Sequence, residues 1–409
     1  MPPIPSKPRV AVVSPFLDRR HGTERCTVEQ IKRLTADYEV YLYSAQVSDV
    51  DVEAVRWRRV PQIPGPLLIQ YVWFFVANRL ARFFDERFRG VRFDLVYSPG
   101  INCFDAGLIT VHIVFAEFRR RVDQDLWFRS NALRFWPRLL HRRMLYALYI
   151  ALEKRVYRAR RARLIAVSAK VADDLTRFYG PMDALSVNYH GFDPAFRPEV
   201  RFELRSRARH ELGIADDTFL IVLVGNDWKK KGLSCALQAI AHLQNPRVRL
   251  AVVGSDVPRP FIENARSLGV EAQVAFLPIR SDVIFYYAAA DACVAPSLED
   301  AFALPPAEAM ACGLPVIVSR QAGVSEIVRN GVNGLVLEDP RDFQTLAALI
   351  RRLYQDREWR QRLGQRAAVT AAEYTWNRNA GELRMIMEDI IAQKKKVDPG
   401  QEGALVASR

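Results

Sequence analysis

The rhythm of its apolar runs constrains this chain more than any other feature. Arg9–Ser14 (RVAVVS), Glu39–Ser44 (EVYLYS), Phe93–Ser98 (FDLVYS), Gly107–Val111, Arg163–Val167 and Leu185–Tyr189 are short and rich in β-branched or aromatic residues. Segments long enough for helices separate them, about Thr27–Leu34, Leu67–Phe88 and Lys170–Tyr179 among them. Strands buried on both faces of a parallel sheet take this form, each joined to the next by a helical crossover. The rhythm breaks over His190–Val200, which holds two prolines and a glycine, and then restarts. Phe219–Val224 (FLIVLV), Arg249–Val253, Gln273–Leu277, Ala292–Ala295, Pro315–Val318 and Gly334–Leu337 form the second set, with a helix opening at Gly232–Ala241. Two α/β units are therefore predicted, 1–190 and 200–375, with a terminal helix over 376–393 returning to the first unit. Residues 394–409 are expected to be a disordered tail. A length of 409 residues suits two cores better than one.

Composition adds charge. The net charge is +13, and Arg119–Arg163 alone holds thirteen arginines and one lysine against three acids, a net of +11. Phe118, Trp127, Phe128, Phe135, Trp136, Leu139, Leu140, Met144, Leu145, Tyr146, Leu148 and Tyr149 lie among or beside these cations. The mixture points to a surface that meets anionic lipid. A nucleic-acid face, or helices whose arginine stems cover a core, are competing explanations. No run of about 18 uncharged apolar residues is present, which argues against a spanning helix. The start lacks a signal peptide's apolar segment, and Cys26, Cys103, Cys235, Cys293 and Cys312 form no C-x-x-C pair. A reducing cytosol is the expected location.

The chemistry gathers in the second unit. In Ala295–Ser319 a strand ends, a loop follows, and Pro305-Pro306 stands where a helix begins, a position that wastes no N–H. Gly313 is expected to end that helix in a left-handed cap. The amides of Phe302, Ala303 and Leu304 suit a diphosphate at a helix start. Asp300 and Glu308, acceptors only, suit sugar hydroxyls, although each is also explicable as an ordinary loop or first-turn acid. In Val222–Ala236 a buried strand runs into Gly225 and Asn226, then Lys229, Lys230, Lys231 and Gly232. Lysines at the mouth of a cleft neutralise phosphate, and glycine lets backbone come close. The run is not a Walker loop. In Ala322–Leu337, Gly323 makes a turn and Ser325-Glu326 is expected to cap and begin a helix. In the first unit, Gly22 follows the first strand and His112 stands just past the fourth apolar run.

The segments PSLEDAFALPPAEAMACGLPVIVS and AGVSEIVRNGVNGLVL resemble the retaining glycosyltransferases of family 4, which have the GT-B fold: two Rossmann-like domains whose parallel sheets face each other across a cleft. The resemblance covers roughly Arg9–Glu388 and is tightest in the second half. It implies that Glu308, the second glutamate of a Glu-x7-Glu pattern, holds the nucleotide ribose. Asp300 takes the first glutamate's place at the transferred sugar, one methylene shorter, while Glu299 is one residue out of register. Phe302-Ala303-Leu304 matches a Phe-Gly-Leu, Lys231 the diphosphate lysine, and His112 the histidine near the donor sugar. Asn226 stands where the partner arginine is usual, and Lys230 or Lys229 is expected to replace its charge. Gly22 matches the second of two glycines in the first loop, with His21 in place of the first. Gly323 and Glu326 match a Gly-x-x-Glu turn, and His190-Gly191-Phe192-Asp193 an Asn-Gly-Val-Asp crossing.

The resemblance implies transfer of a hexose from a UDP- or GDP-sugar to a glycan or lipid-linked saccharide, with the configuration retained. No metal, cofactor or nucleic acid is expected, and Asp49-Val50-Asp51 reads as a surface loop. Peripheral attachment to the inner leaflet through Arg119–Arg163, helped by Leu67–Phe75, is expected. A nucleotide-sugar epimerase or hydrolase without acceptor, and an inactive sugar- or nucleic-acid-binding protein, remain as alternatives.

Overall fold

The computed structural model describes residues 7–18, 22–127 and 136–397. The first unit runs β1 (Arg9–Val13), β2 (Phe16–Leu17), α1 (Gly22–Leu34), β3 (Glu39–Ser44), β4 (Gln46–Val47), β5 (Arg56–Arg59), α2 (Leu67–Phe88), β6 (Leu95–Pro99), β7 (Leu108–Val111), α3 (Phe115–Trp127), α4 (Trp136–Arg158), β8 (Arg163–Ala166), α5 (Ala169–Tyr179) and β9 (Leu185–Val187). The second runs α6 (Pro198–Glu211), β10 (Phe219–Val224), α7 (Leu233–Leu243), β11 (Val248–Val253), α8 (Arg259–Ser267), β12 (Val274–Leu277), α9 (Ile284–Ala289), β13 (Ala292–Ala295), α10 (Leu304–Ala311), β14 (Val316–Ser319), β15 (Leu335–Leu337), α11 (Phe343–Gln355) and α12 (Arg357–Ala371). The last helix is α13 (Trp376–Val397).

Seven strands form one parallel sheet in the order β5-β3-β1-β6-β7-β8-β9, and six form another in the order β12-β11-β10-β13-β14-β15. The two-domain α/β architecture with parallel sheets, expected from the apolar rhythm, is what the chain adopts. In each sheet the order reverses beside one strand, β1 in the first and β10 in the second. Ligands of open α/β sheets bind outside the carboxyl ends of the strands at such a reversal. β1 leads into Gly22 and α1, and β10 leads into Gly225 and the lysine run.

Several elements differ from the sequence expectations. α1 begins at Gly22, five residues before the expected start, with Glu24 complementing the helix dipole in its first turn. β5, an edge strand of sequence RWRR, was hidden by its charges; edge strands carry such charges where their outer side is unpaired. Ser325 is no cap. It lies inside a single 3-10 turn, Gly323–Glu326, whose first amides are already bound: Gly323 N–H donates to Asp300 O (3.1 Å) and Val324 N–H to Phe302 O (2.7 Å). α13 continues to Val397, past the expected end at 393, because Lys394 anchors its last turns on the carbonyls of Phe93 (3.2 Å) and Asp94 (3.3 Å). His21, Phe128, Phe135 and residues 398–409 lie outside the described residues, as do the side chains of Trp127, Trp136 and Leu139. Of the other apolar residues in or beside the basic segment, Phe118 and Leu145 are buried, Tyr146 packs on Phe118 and Tyr149 on Tyr71, so these four do not form an outer face.

Two chain crossings join the units side by side. Phe192 pairs with Thr375 as a parallel bridge, and its N–H donates to Tyr374 O at 3.1 Å. A Cβ on Gly191 would stand 2.2 Å from the Trp376 nitrogen, so only glycine fits there. α13 then packs on the first unit through buried Asn379. Its Oδ1 accepts from Gln30 Nε2 of α1 (2.9 Å), and its Nδ2 donates to Asn188 Oδ1 (2.7 Å) and Tyr189 O (2.8 Å). Replacing Asn379 with Ala leaves Gln30 and Asn188 without these buried partners. It should destabilise the protein by about 2–4 kcal/mol, read as a lower urea midpoint at unchanged slope.

Candidate functional site

The two sheet reversals face each other, and the residues at their mouths touch. A Cβ on Gly22, in the first turn of α1, would lie 3.6 Å from Leu304 Cδ1, the first residue of α10. Two helix N-termini, one from each domain, thus meet across the cleft, where both dipoles favour an anion. Pro305 and Pro306 occupy the first turn of α10, and Gly313 follows its end at φ 69°. Ala303, where the family resemblance has glycine, keeps a left-handed backbone at φ 71° and ψ 82°. An alanine held there costs about 1–2 kcal/mol.

Glu308 projects from α10 and is buried. Its Oε1 accepts from Arg25 Nη1 at 2.6 Å and its Oε2 from the Tyr287 hydroxyl at 3.1 Å. Tyr287 is held in turn by α6, whose Arg201, Arg205 and Arg209, four residues apart, donate to the carbonyls of Tyr287 and Ala288–Ala290 at the end of α9. Those are the orphan carbonyls of a helix C-terminus, satisfied here by three guanidiniums. Arg25 comes from α1 in the other domain. Burial pulls against its charge, but Glu308 outweighs that and raises its pKa.

Lys231 Nζ bonds to Asp300 Oδ2. Its stem passes over Gly225, where a Cβ would come within 3.1 Å of Lys231 Cε. Gly232, at φ 76°, sits with its would-be Cβ 1.9 Å from Pro296 O and admits no side chain. Burial alone would raise the Asp300 pKa, yet Lys231 and Lys230 hold it below the ordinary carboxylate value. Lys230 Nζ lies 5.3 Å from the Phe118 ring centre, so it reaches the first domain. Asn226 has a different occupation: its Oδ1 accepts from Ser255 N–H (3.0 Å) and Oγ (3.1 Å) and fixes the loop after β11.

The loop between β13 and α10 is clamped from the first domain. Ser168 Oγ donates to Ala301 O (2.7 Å), and Lys170 Nζ pairs with Glu299 Oε1 (2.7 Å). The Glu326 carboxylate accepts from the first amides of α5, Ala169 (2.8 Å) and Lys170 (2.7 Å), and from the Tyr189 hydroxyl (2.8 Å). Gly323 sits under this clamp, its would-be Cβ 2.2 Å from Ala301 O and 2.7 Å from Ser168. Glu299 and Asp300 are neighbours in sequence but serve different partners, Lys170 and Lys231.

His112, at the end of β7, stacks on His190 with ring centres 5.5 Å apart and planes 15° from parallel. His190 also meets Phe302 edge-on at 5.2 Å. His112 Nε2 and His190 Nδ1 are buried without a hydrogen-bond partner in the structure. Two orphaned ring nitrogens beside a cleft call for a ligand or an ordered water. Burial, then the neighbouring ring, holds the His112 pKa well below its usual value, and burial brings His190 to about 4 against a smaller opposing pull from Asp300. Among the described residues no group of three or more His, Cys, Asp or Glu gathers around a potential metal position, all five cysteines are buried and unpaired, and no helix is long and apolar enough to cross a membrane.

The structure thus gathers His112, Lys231, Asp300, Phe302, Ala303, Leu304, Glu308, Gly22, Gly225 and Gly323 around one interdomain cleft, while Asn226 turns its side-chain oxygen to Ser255 and Lys230 its ammonium to the Phe118 ring. Sequence reasoning missed Arg25, Tyr287, Ser168 and Lys170. Arg25 was within reach: once α1 starts at Gly22, residue 25 lies three positions on and shares that glycine's helix face.

The buried histidine pair sets a pH response. A ring whose folded pKa is depressed contributes stability that is complete above the ordinary value near 6.5 and drains away as pH falls toward the folded value of about 4. The thermal midpoint of the wild type should fall over that window. His190→Asn should flatten the fall, and an unchanged slope in that variant would show that other groups carry it.

Comparison with known proteins agrees with this architecture. A model described as Glycosyltransferase Family 4 matches residues 20–196, and one described as Glycosyl transferases group 1 matches residues 205–370. A D-inositol 3-phosphate glycosyltransferase of Thermobifida fusca is 31% identical over 255 residues, covering 58% of this chain and 57% of its own length. An uncharacterized glycosyltransferase of Methanocaldococcus jannaschii is 30% identical over 227 residues, covering 54% and 58%. The chain thus spans a little over half the length of the curated relatives it matches. Among solved structures, WaaG, a glycosyltransferase involved in lipopolysaccharide biosynthesis, superposes at TM-score 0.77 with 20% identity, covering 92% of this chain and 99% of WaaG. Anabaena HepE in complex with UDP and glucose superposes at 0.69 with 19% identity, covering 93% and 99%. With one glycosyltransferase model on each domain and this architecture, the chain has the GT-B fold and belongs to the glycosyltransferase superfamily that joins family 4 with group 1.

Proposed function

We propose that the protein transfers a hexose from a UDP- or GDP-linked sugar to a glycan or lipid-linked saccharide, with retention of the anomeric configuration. The observation that carries this reading is the pair of ion pairs facing one cleft, Arg25–Glu308 and Lys231–Asp300, set where two helix N-termini meet. Each cation is matched by a carboxylate at the site where a donor would bring phosphates and hydroxyls. On donor binding the cations pass to the diphosphate and the carboxylates to hydroxyls, Glu308 to the ribose and Asp300 to the sugar. The names of the relatives, D-inositol 3-phosphate glycosyltransferases, and the UDP and glucose bound to HepE support a nucleotide-sugar donor.

As the bond from sugar to phosphate breaks, negative charge grows on the diphosphate and positive charge on the sugar ring. Lys231, Arg25 and the amides of Phe302, Ala303 and Leu304 stabilise the first. Asp300 and the neutral ring of His112 face the second. The reading gives no side chain the part of nucleophile; the acceptor hydroxyl enters on the face the phosphate leaves, and the departing phosphate takes its proton. A protein with this role works in the cytoplasm, against the inner leaflet when its acceptor is lipid-linked.

Lys231→Ala should lower kcat/KM by about a hundredfold or more, and Glu308→Gln should raise the donor KM by about tenfold, both in folded protein. Near-normal rates in both variants would remove the site assignment, and a product of inverted configuration by NMR would remove the retaining mechanism. Arg25 supplies the second cation that Asn226 cannot. Arg25→Ala should therefore weaken a nucleoside diphosphate by about tenfold in calorimetric titration and leave the bare nucleoside little changed. Equal losses for both ligands would mean that Arg25 only holds Glu308.

A further inference from the structure

The geometry points to an acceptor subsite on the α3 side of the cleft, built by Glu299, Arg121 and Lys230, that takes a sugar carrying a carboxylate or phosphate close to a free hydroxyl. The inference rests on the transferase reading above and specifies the class of acceptor.

Glu299 is buried, with 5% of its surface exposed. Its Oε1 accepts from Lys170 Nζ across the domains at 2.7 Å, but its Oε2 is buried with no hydrogen-bond partner in the structure. Arg121 Nε lies 3.9 Å from that oxygen, beyond hydrogen-bond reach. A buried carboxylate oxygen left unmet is costly and calls for a donor from outside the protein. Two donors beside it are equally unspent. Arg121 commits only its Nε, to Glu117, and the rest of its fork is open. Lys230 enters from the second domain and stands over the Phe118 ring at 5.3 Å; among the described residues its ammonium makes no hydrogen bond. Phe118 and Arg121 are three positions apart on α3 and so share a face. The charge of Lys230 accordingly acts on both Glu299 and Asp300.

The surroundings carry excess positive charge. Glu117 is met by Arg120, Arg121 and Arg177, and Lys170 serves both Asp174 and Glu299. With Lys230, five cations stand against three carboxylates. A neutral sugar would satisfy Glu299 Oε2 through one hydroxyl and leave Arg121 and Lys230 unneutralised. A carboxylate or phosphate on the same sugar accepts from both, from Arg121 as a planar fork and from Lys230 as a point charge, while the neighbouring hydroxyl donates to Glu299. Asp300 follows Glu299 directly and is the carboxylate assigned above to the donor sugar. An acceptor held by Glu299 therefore presents its hydroxyl beside the sugar to be transferred. Lys230 then serves the acceptor and not the donor diphosphate, and the subsite is complete only when the two domains meet.

The test is a ligand-observed NMR titration with methyl β-D-glucuronide, glucose 6-phosphate and methyl β-D-glucoside, run with UDP or GDP at saturation. At least one acidic sugar should bind about tenfold more tightly than the neutral glucoside. Preference for the glucuronide alone assigns a uronate acceptor, and preference for the phosphate alone a phosphorylated one. Arg121→Met with Lys230→Met should erase the preference while the thermal midpoint and the affinity for the nucleoside diphosphate stay unchanged. Glu299→Gln, which keeps an oxygen for Lys170, should weaken the neutral glucoside about fivefold. The proposal is overturned if the glucoside binds as tightly as both acidic sugars, if the preference survives the double variant, or if Glu299→Gln binds the glucoside like wild type. A tenfold loss of nucleoside diphosphate in Lys230→Met would also overturn it, by returning Lys230 to the donor. Failure of either nucleotide to bind, or of transfer from any nucleotide sugar, with the sugar preference intact would remove the transferase reading and leave the subsite standing.

Discussion

Charge closes the cleft of this protein alongside an apolar cluster that the two domains share. Arg25–Glu308, Lys170–Glu299 and the Glu326 carboxylate on the amides of α5 all cross between the domains, and Ser168 adds a hydroxyl bond to Ala301. A buried ion pair gains little net stability, because desolvation offsets most of the attraction. Breaking one by removing a partner costs far more than never forming it. That asymmetry suits a site that must exchange partners. On the proposed reading a nucleoside diphosphate replaces Glu308 and Asp300 as the counter-charge, each cation stays paired throughout, and the carboxylates accept from sugar hydroxyls. On that reading the closed arrangement is one in which the protein's own acids hold the place of the donor.

The parts of this design that were legible in the sequence are the local ones. Continuous apolar runs identified the parallel strands, and Phe219–Val224, Ala292–Ala295 and Leu67–Phe88 match their elements to the residue. The prolines at 305 and 306 and the glycine at 313 marked both ends of α10 because their backbone chemistry permits little else. The long-range parts were illegible. Arg25 and Glu308 stand 283 positions apart, and nothing in either neighbourhood announces the other. Glu299 and Asp300 could not be told apart by spacing alone; the structure separates them because adjacent loop side chains diverge, one toward Lys170 and one toward Lys231. β5 escaped notice because the residues of an unpaired edge are chosen to look unlike a strand.

The basic segment shows the same limit. Its composition suggested one outward surface, but charge and hydrophobicity in a helix pair divide by face. Arg120 and Arg121 turn to Glu117, whose carboxyl they hold near 2 against its burial, while Phe118 and Leu145 enter the core. Leu140 and Met144 of the segment stay exposed, and further exposed apolar residues lie along α2, whose sequence LLIQYVWFFVANRLARFFDERF conceals which side faces inward. Only the sheet decides that, by taking Phe74 and Ala77 and leaving Val76 and Leu80.

The shorter acid at position 300 follows from the same charge logic. Lys231 has to cross a bare Gly225 to reach the cleft, and its ammonium then lies against Asp300. A longer glutamate would carry its carboxylate past that ammonium; aspartate keeps the two charges together beside the α10 N-terminus. The loop compensates through backbone, since Asp300 is pinned on both sides, its N–H on Gln321 O and its C=O on Gly323 N–H at 3.1 Å each. On the proposed reading the sugar must come to this fixed carboxylate. The strained Ala303, three residues on, then has a purpose: it holds the amides of the α10 start in a conformation that glycine would reach freely but hold less firmly.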